Sequence, residues 1–408
     1  MRYPLPVPDG VLSPATAELP AALGEHRAHF LARFGAGGGV RLFFSPGRVN
    51  LVGAHLDYNG GPVLPTAIDR GTFFAVRARA DDRLTFASVL EKDVLSARVG
   101  DLPPAAQGRW FDYPLGVVRH LLRERERPAG IDVLFGGNLA VGAGLSSSAS
   151  ICVGTAFALD RVWGLGLDLL DLLAAALWGE RSFVGVQCGI MDPYAVGLSR
   201  PGHLLWLDCK DGTFEHLPLP AGAFTIAVAD TGVRRQLAQG EFNRRVTSCR
   251  EIFARLGGYV DGATCLRDIP AAVVEEHASE LDPPLLSRAR HVTGEVERTF
   301  AARDALVAGD LERFGRQLTA SHRSLRDLYE VSAPELDLLV ESAVGRPGCL
   351  GARLTGAGFG GCAVILVRDG PREDLAADLA ADFARAFGRR PAIFFFRGDG
   401  GPRELAVD

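Results

Sequence analysis

At 408 residues the chain is long enough for two domains around a large buried core, which excludes a small disulfide-stapled module. Apolar residues at 47% and charged residues at 23% exclude a disordered or fibrous chain. A net charge of −5 with no long run of either sign leaves no electrostatic footprint for nucleic acid or an anionic membrane, so small, specific ligands are expected.

In chain order, an amphipathic helix is predicted over Glu18–Phe34, closed by Gly35 and the glycine run 37–39. An extended segment over Val40–Phe44 leads into a Gly/Asn-rich loop, followed by strands at Thr72–Arg79 and Leu84–Ser88 and a helix at Tyr113–Arg127 that stops before Pro128. A strand at Ile131–Phe135 precedes a small-residue helix from Ser146 to Trp163 and a second helix at Leu167–Glu180. Val133–Leu159 carries no charge, but its five glycines, Asn138 and four serines describe strand, loop and helix rather than a membrane span. A strand at His203–Asp208 ends the first half, and a change of composition around Leu217-Pro-Leu-Pro220 divides domains 1–216 and 217–408. The second half reads as strand (Phe224–Ala229), long helix (Glu241–Leu256), helical pieces through Ser342, glycine turn and strand (Gly356–Val367), helix (Arg372–Phe387) and strand (Ala392–Phe396), an α+β pattern.

Only two of the 44 basic residues are lysines, and neither Lys92 nor Lys210 stands in a Gly-Lys-Ser/Thr context, so a P-loop is excluded. Each is flanked by a carboxylate and poorly suited to a Schiff base. The seven cysteines, at 152, 188, 209, 249, 265, 349 and 362, form no C-x-x-C pair and stand at no zinc spacing; they read as free thiols. With no apolar leader in Met-Arg-Tyr-Pro-Leu-Pro-Val-Pro, a cytoplasmic location is expected.

Four segments can carry chemistry. Gly142-Ala-Gly-Leu-Ser-Ser-Ser-Ala-Ser150 follows a strand and opens a helix, so glycines, hydroxyls and first-turn N–H groups can cradle a phosphate without a lysine; the alternative, a flexible linker, would be polar on both sides. Ser45 to Gly61 concentrates Arg48, Asn50, His55, Asp57, Tyr58 and Asn59 in an apolar frame, a density suited to a polyol, against the alternative of a solvated loop. In Gln187-Cys-Gly-Ile-Met-Asp-Pro193, apolar neighbours surround Asp192, which reads either as a proton acceptor paired with an arginine or as a turn or helix cap. Gly356, Gly358 and Gly361 match G-x-G-x-x-G, but a strand follows them, so a turn forming one wall of a site fits better than a dinucleotide fingerprint.

Together and in this order these segments resemble the GHMP kinases, in particular the galactokinase branch. Gly47-Arg48 through Asp57-Tyr58 is similar to that branch's sugar signature, Gly142–Ser150 to its ATP phosphate loop, and Cys188–Asp192 to the stretch bearing its catalytic aspartate. Ser321-His322 through Asp337 and Thr355–Cys362 are similar to its C-terminal motifs. The resemblance implies a two-lobed fold, each lobe a mixed sheet packed with helices, and ATP-dependent phosphorylation of a sugar's anomeric hydroxyl in the cleft between them. It implies Asp192 as base and Arg48 as its partner, with Ala54, His55, Asp57, Gly189, Arg235 and Phe242 at the sugar. ATP falls to Trp110 and to Gly142, Gly144, Leu145, Ser146, Ser147, Ser148 and Ala149, with Trp110 open to the alternative of a core residue. Mg²⁺ falls to Glu180 and a loop serine, one of Ser146–Ser148 and taken as Ser147. A monomer or weak homo-oligomer is expected. Three positions on the sugar side depart from the branch, Ala54 replacing a glutamate, Arg235 a histidine and Phe242 a tyrosine, and two smaller departures are Pro193 for a glutamine and Ala140 for a proline. The first two exchanges would suit a carboxylate at C6, so galacturonate joins galactose as a candidate, with L-arabinose and a sugar sensor without turnover as further alternatives.

Overall fold

The computed structural model describes residues 19–405, apart from 124, 126, 127, 140, 141, 220, 221, 223, 235–237, 369, 371 and 397. The first half contains α1 (Leu19–Phe34), β1 (Arg41–Asn50), β2 (Pro62–Val63), β3 (Pro65–Ala78), β4 (Arg83–Ser88), β5 (Leu95–Arg98), α2 (Asp112–Leu121), β6 (Ile131–Gly137), α3 (Ser147–Trp163), α4 (Leu169–Trp178), α5 (Met191–Leu198), β7 (His203–Asp208) and β8 (Phe214–Pro218). The second contains β9 (Thr225–Asp230), α6 (Ala238–Leu256), α7 (Ala271–Glu276), α8 (Pro283–Val307), α9 (Leu311–Asp327), α10 (Pro334–Val344), β10 (Cys349–Thr355), β11 (Cys362–Val367), α11 (Arg372–Phe387), β12 (Ala392–Phe396) and β13 (Arg403–Leu405).

Three sheets organise these elements, in strand orders β13-β1-β3-β6-β4-β5, β10-β11-β9-β12 and β2-β7-β8. The six-stranded sheet is mixed, with β4 parallel to β6. The four-stranded sheet is antiparallel throughout rather than mixed. The short glycine turn between β10 and β11 accounts for part of this, because adjacent parallel strands need a long crossover. On one face of the six-stranded sheet α2, α3 and α4 bury a cluster that includes Phe43, Phe74 and Phe135. On the other face α1 inserts Leu23 and Phe30. Helix α3 lies close to the sheet because Gly154 carries no side chain: a Cβ there would fall 2.3 Å from the Phe74 ring. The Ser150 hydroxyl then ties the helix to β1 and β3, donating to the Ser45 carbonyl at 2.8 Å and meeting Thr72 Oγ1 at 2.8 Å.

The halves are not independent. Strand β8 crosses the division expected after residue 216, and β13 returns from the C-terminal end to pair with β1. One apolar cluster joins Ala54, Leu56 and Met191 to Ile252, Tyr329 and Leu354.

Several elements differ from expectation. Strand β1 runs through Gly47 to Asn50, so Arg48 and Asn50 sit on a strand instead of a loop; Gly47 permits this by leaving room for Leu139 and the Leu145 carbonyl, which a Cβ would meet at 2.7 and 2.8 Å. Helix α2 ends at Leu121, before the predicted Arg127, which lies outside the described residues. Helix α4 ends at Trp178 and continues as a wider π-turn over Gly179–Val184. Asp192 lies in the first turn of helix α5 and is not its cap, and Pro193 is accommodated in that turn, where its missing N–H costs nothing. Strands β2, β5, β8, β10 and β13 were not predicted; β10 carries Arg353, fully buried, which breaks the apolar pattern of a core strand.

Candidate active site

Arg48 projects from β1 and is 4% exposed. Its Nε donates to Asp192 Oδ1 at 2.7 Å and its Nη1 to the Gly144 carbonyl at 2.7 Å, so one guanidinium joins the proposed base to the serine loop. The Ser146 hydroxyl donates to the other Asp192 oxygen, Oδ2. With both oxygens engaged, the carboxylate is held in one orientation at the N-terminus of α5, where the helix dipole favours negative charge.

Ser146 itself is left-handed, with φ 58°, and so is Gly144, with φ 78°. This bend ends the loop and starts α3 at Ser147, exposing first-turn N–H groups. The loop is braced from the C-terminal half: a Cβ on Gly144 would lie 3.1 Å from the Thr355 carbonyl, and one on Gly361 would lie 2.8 Å from the Ala143 carbonyl. The turn after β10 therefore forms a wall of the site, as its glycine pattern suggested, and Gly356 and Ala357 line the cavity beside Arg48.

Two cavities of about 250 Å³ each meet at Tyr113 and Ser148. The first is lined by Arg48, His55, Asp57, Glu180, Asp192 and Phe242 among others. The second has apolar walls from Trp110, Phe135, Leu139 and Ile151 and ends at Ser147 and Ser148. Trp110 thus faces a cavity; it packs edge-on against Phe135 at 5.3 Å and donates Nε1–H to the Asp93 carbonyl at 2.9 Å. Gly142 lies in the loop, while Leu145 and Ala149 are buried beneath it, Leu145 accepting the Arg48 N–H at 3.1 Å.

Glu180 sits in the π-turn after α4, a distortion common at functional sites. Gly116 and Gly179 make close contact here, since a Cβ on Gly116 would fall 2.9 Å from the Gly179 Cα, and Glu180 is 2% exposed as a result. Burial pushes its carboxyl up to about 7; the Ser148 hydroxyl and Arg48 oppose the rise and Asp192 adds to it. Its Oε2 has no hydrogen-bond partner among the described residues. The loop serine beside Glu180 is Ser148, which lines the same cavity, whereas Ser147, taken above as the partner, lines only the other one.

At the other end of the first cavity, His55 is left-handed, with φ 59°, and its Nδ1 meets the Tyr58 hydroxyl at 2.8 Å. Burial, with His291, Arg353 and Arg245 nearby, lowers the His55 pKa to about 3 against the opposing effect of the Ala357 backbone, so the ring is neutral. Burial raises Asp57 to about 6, helped by Asp192 and opposed by Arg48. Gly189 is required here, since a Cβ would fall 2.1 Å from Asp57 Oδ2. Phe242 packs against His55 at 5.8 Å and Tyr58 at 5.4 Å. Ala54 is buried in the apolar cluster and lines neither cavity, and Arg235 lies outside the described residues. Sequence reasoning did not single out Tyr113, which lines both cavities, or Tyr329, whose hydroxyl meets that of Tyr58 at 2.8 Å, although Tyr329 lies within the segment from Ser321 to Asp337 that is similar to a family motif.

A Gly/Ser loop opening a helix, an arginine-paired carboxylate and two adjoining cavities make up this site, and the class of protein that carries them is given by the GHMP kinase family. Residues 112–200 match the family model "GHMP kinases N terminal domain" and residues 302–388 match "GHMP kinases C terminal". Residues 28–78 match the "Galactokinase galactose-binding signature", and the chain belongs to the galactokinase family. It is 40% identical to the galactokinase of Enterococcus faecalis over 83% of this chain and 88% of that one, and 40% identical to that of a Roseiflexus species over 93% and 96%. A crystal structure of Lactococcus lactis galactokinase complexed with galactose superposes with a TM-score of 0.89 at 32% identity, covering 94% of this chain and all of the other. Methanococcus jannaschii mevalonate kinase shares the fold, with a TM-score of 0.60 at 18% identity over 89% and 99% of the two chains. No helix among the described residues is long and apolar enough to cross a membrane.

Proposed function

We propose that this chain transfers the γ-phosphate of ATP to the anomeric hydroxyl of D-galactose. The observation that carries the reading is the Arg48–Asp192–Ser146 constellation, set at the junction of an apolar cavity ending in helix N–H groups and a cavity lined by His55 and Asp57. Adenine would lie in the Trp110 cavity, with its phosphates on the serine loop and the N-terminus of α3. The sugar would lie against His55, Asp57, Gly189 and Phe242 with its C1 hydroxyl at Asp192.

Asp192 accepts the hydroxyl proton as the sugar oxygen bonds to the γ-phosphorus, and the bond from phosphorus to the β–γ bridging oxygen breaks, releasing ADP with that electron pair. Arg48 orients the carboxylate and adds positive charge beside the transferring group. Catalysis is chiefly positioning and electrostatics.

Mg²⁺ fits the residues present. The unpartnered Oε2 of Glu180, with the Ser148 hydroxyl beside that carboxylate, is a hard-oxygen donor set. No group of three or more His, Cys, Asp and Glu side chains at metal-holding distance occurs among the described residues, as suits an ion bound largely through substrate phosphates. Glu180 and Ser148 would hold it, and when bound it would neutralise charge on the phosphates. All seven cysteines are free, which supports a cytoplasmic location.

Galactose is preferred over galacturonate because the galactose-binding signature matches over residues 28–78 and the curated relatives are galactokinases. Ala54, one of the two residues that pointed to galacturonate, lines neither cavity. The test is sugar-dependent ADP release with Mg-ATP across D-galactose, D-galacturonate, L-arabinose and D-glucose. A higher kcat/KM for galactose is expected. Preference for galacturonate would replace the substrate, and no turnover with any sugar would overturn the enzyme reading.

A further inference from the structure

A buried carboxylate that touches neither cavity stands directly behind the sugar end of the site. Glu295, on α8, is fully buried. Its Oε1 accepts the backbone N–H groups of Gly53 and Ala54, each at 3.0 Å, and the Ser321 hydroxyl at 2.6 Å. Its Oε2 accepts Arg298 Nε at 2.8 Å, and Arg353 Nη1 lies 3.8 Å from Oε1. Burial opposes ionisation, but Arg298, His291 and Arg353 outweigh it and hold the acid down at about 2.

The same network grips the other side of residue 54. Arg298 Nη2 donates to Ser324 Oγ at 2.9 Å, Ser324 Oγ meets His291 Nδ1 at 2.8 Å, and His291 Nε2 reaches the Ala54 carbonyl at 3.4 Å. The His291 ring packs on Tyr329 at 4.4 Å, and Tyr329 packs on His55 at 4.9 Å while its hydroxyl meets that of Tyr58. Both peptide groups of the residue preceding His55 are thus fixed from the second half of the chain.

The backbone held in this way is strained. Gly53 has φ 91°, with the Pro62 carbonyl 2.5 Å from where a Cβ would sit, and His55, which has a Cβ, is left-handed. Strained conformations persist where the surroundings over-determine them, and a paired buried carboxylate is costly unless it serves such a purpose.

We infer that Glu295 is a positioning residue for the sugar: its clamp on the Gly53 and Ala54 N–H groups sets the turn that presents His55 and Asp57 to the substrate. This rests on the proposed reading of His55 and Asp57 as sugar-binding groups. Arg298, Arg353, Ser321 and His291 serve the same clamp at one remove.

The test is steady-state kinetics of the wild type, Glu295→Gln and Ser321→Ala, with sugar and ATP varied separately, together with the thermal shift that saturating galactose or ADP induces in each. Glu295→Gln is expected to raise the sugar KM about tenfold or more, as for loss of a charge-assisted hydrogen bond, and to leave the ATP KM within about twofold. Its galactose-induced shift should shrink and its ADP-induced shift remain. Ser321→Ala leaves every charge in place and decides the matter if Glu295→Gln does not fold; a rise of about threefold in sugar KM alone is expected, as for loss of one neutral hydrogen bond. Sugar and ATP KM values that rise together, or a sugar KM unchanged in a folded variant, would overturn the role. Failure of the wild type to use galactose would instead refute the proposed substrate, and the same comparison would be read with whichever sugar is turned over.

Discussion

The two ends of this one cleft are built differently. The proposed phosphoryl-transfer end draws Gly144, Ser146, Ser148, Glu180 and Asp192 from helix N-termini and turns of the first half of the chain, with Arg48 reaching them from β1. The sugar end interleaves His55, Asp57 and Tyr58 with Phe242 and Tyr329 from the second half, rings packed on rings with a buried carboxylate behind them. Holding a phosphate needs unsatisfied N–H groups, which local turns at helix N-termini supply. Recognition of a neutral polyol needs polar atoms held rigidly in an apolar wall, which only packing between distant segments supplies.

The largest expected effect separates chemistry from binding. Asp192→Asn keeps the shape but leaves one acceptor oxygen for the two donors Arg48 and Ser146 and removes the base. Turnover should fall by about 10³-fold while the galactose-induced thermal shift persists. A variant within tenfold of wild type would remove Asp192 from the proton transfer.

A second experiment probes the buried acid at the phosphoryl-transfer end. Glu180 has its folded pKa raised from 4.5 to about 7, so its stabilising contribution is present below pH 4.5 and is lost as pH rises to about 7. Relative to Glu180→Gln, the metal-free wild type should lose on the order of 3 kcal/mol across that window and change no further above it. The buried histidines His26, His55 and His291, with lowered pKa values, act in the opposite direction in both proteins and cancel in the comparison. Chemical denaturation at pH 4.5, 6 and 8 reads this, and parallel stability profiles would contradict the assignment.

The smallest effects are reciprocal. Trp110→Ala should raise the ATP KM by about five- to tenfold and spare the sugar, whereas Phe242→Ala should do the reverse, each losing one ring face of its cavity. If both variants weakened both substrates equally, the two cavities would not be separate binding sites.

Much of the proposed phosphoryl-transfer end could be picked out in sequence because most of its parts are local. The Gly/Ser run before an apolar helix, the arginine after Ser45-Pro-Gly and the aspartate before Pro193 each declare themselves within a few residues. What escaped was geometry within those segments: that Gly47 lets β1 continue to Asn50, that α4 loosens into a π-turn at Glu180, and that Ser148 is the serine beside it. The sugar end was legible only in its signature half. Glu295 belongs to no motif, Tyr329 drew no attention inside one, and Ala54, which drew attention as a departure from the family pattern, meets Glu295 and His291 through its backbone.

The amino-acid sequence by itself determined most of the long helices and core strands, the family, and the segments that hold Arg48, Asp192 and the serine loop, because these depend on periodicity and on short spacings. The tertiary structure alone decided which of those groups are buried and how far their acidity shifts, the return of β13 to β1, and the reach of Glu295 to an N–H group 241 positions away. Burial and long-range hydrogen bonds are properties of neighbours in space, and residues so far apart along the chain become neighbours only when the two lobes close around a shared core.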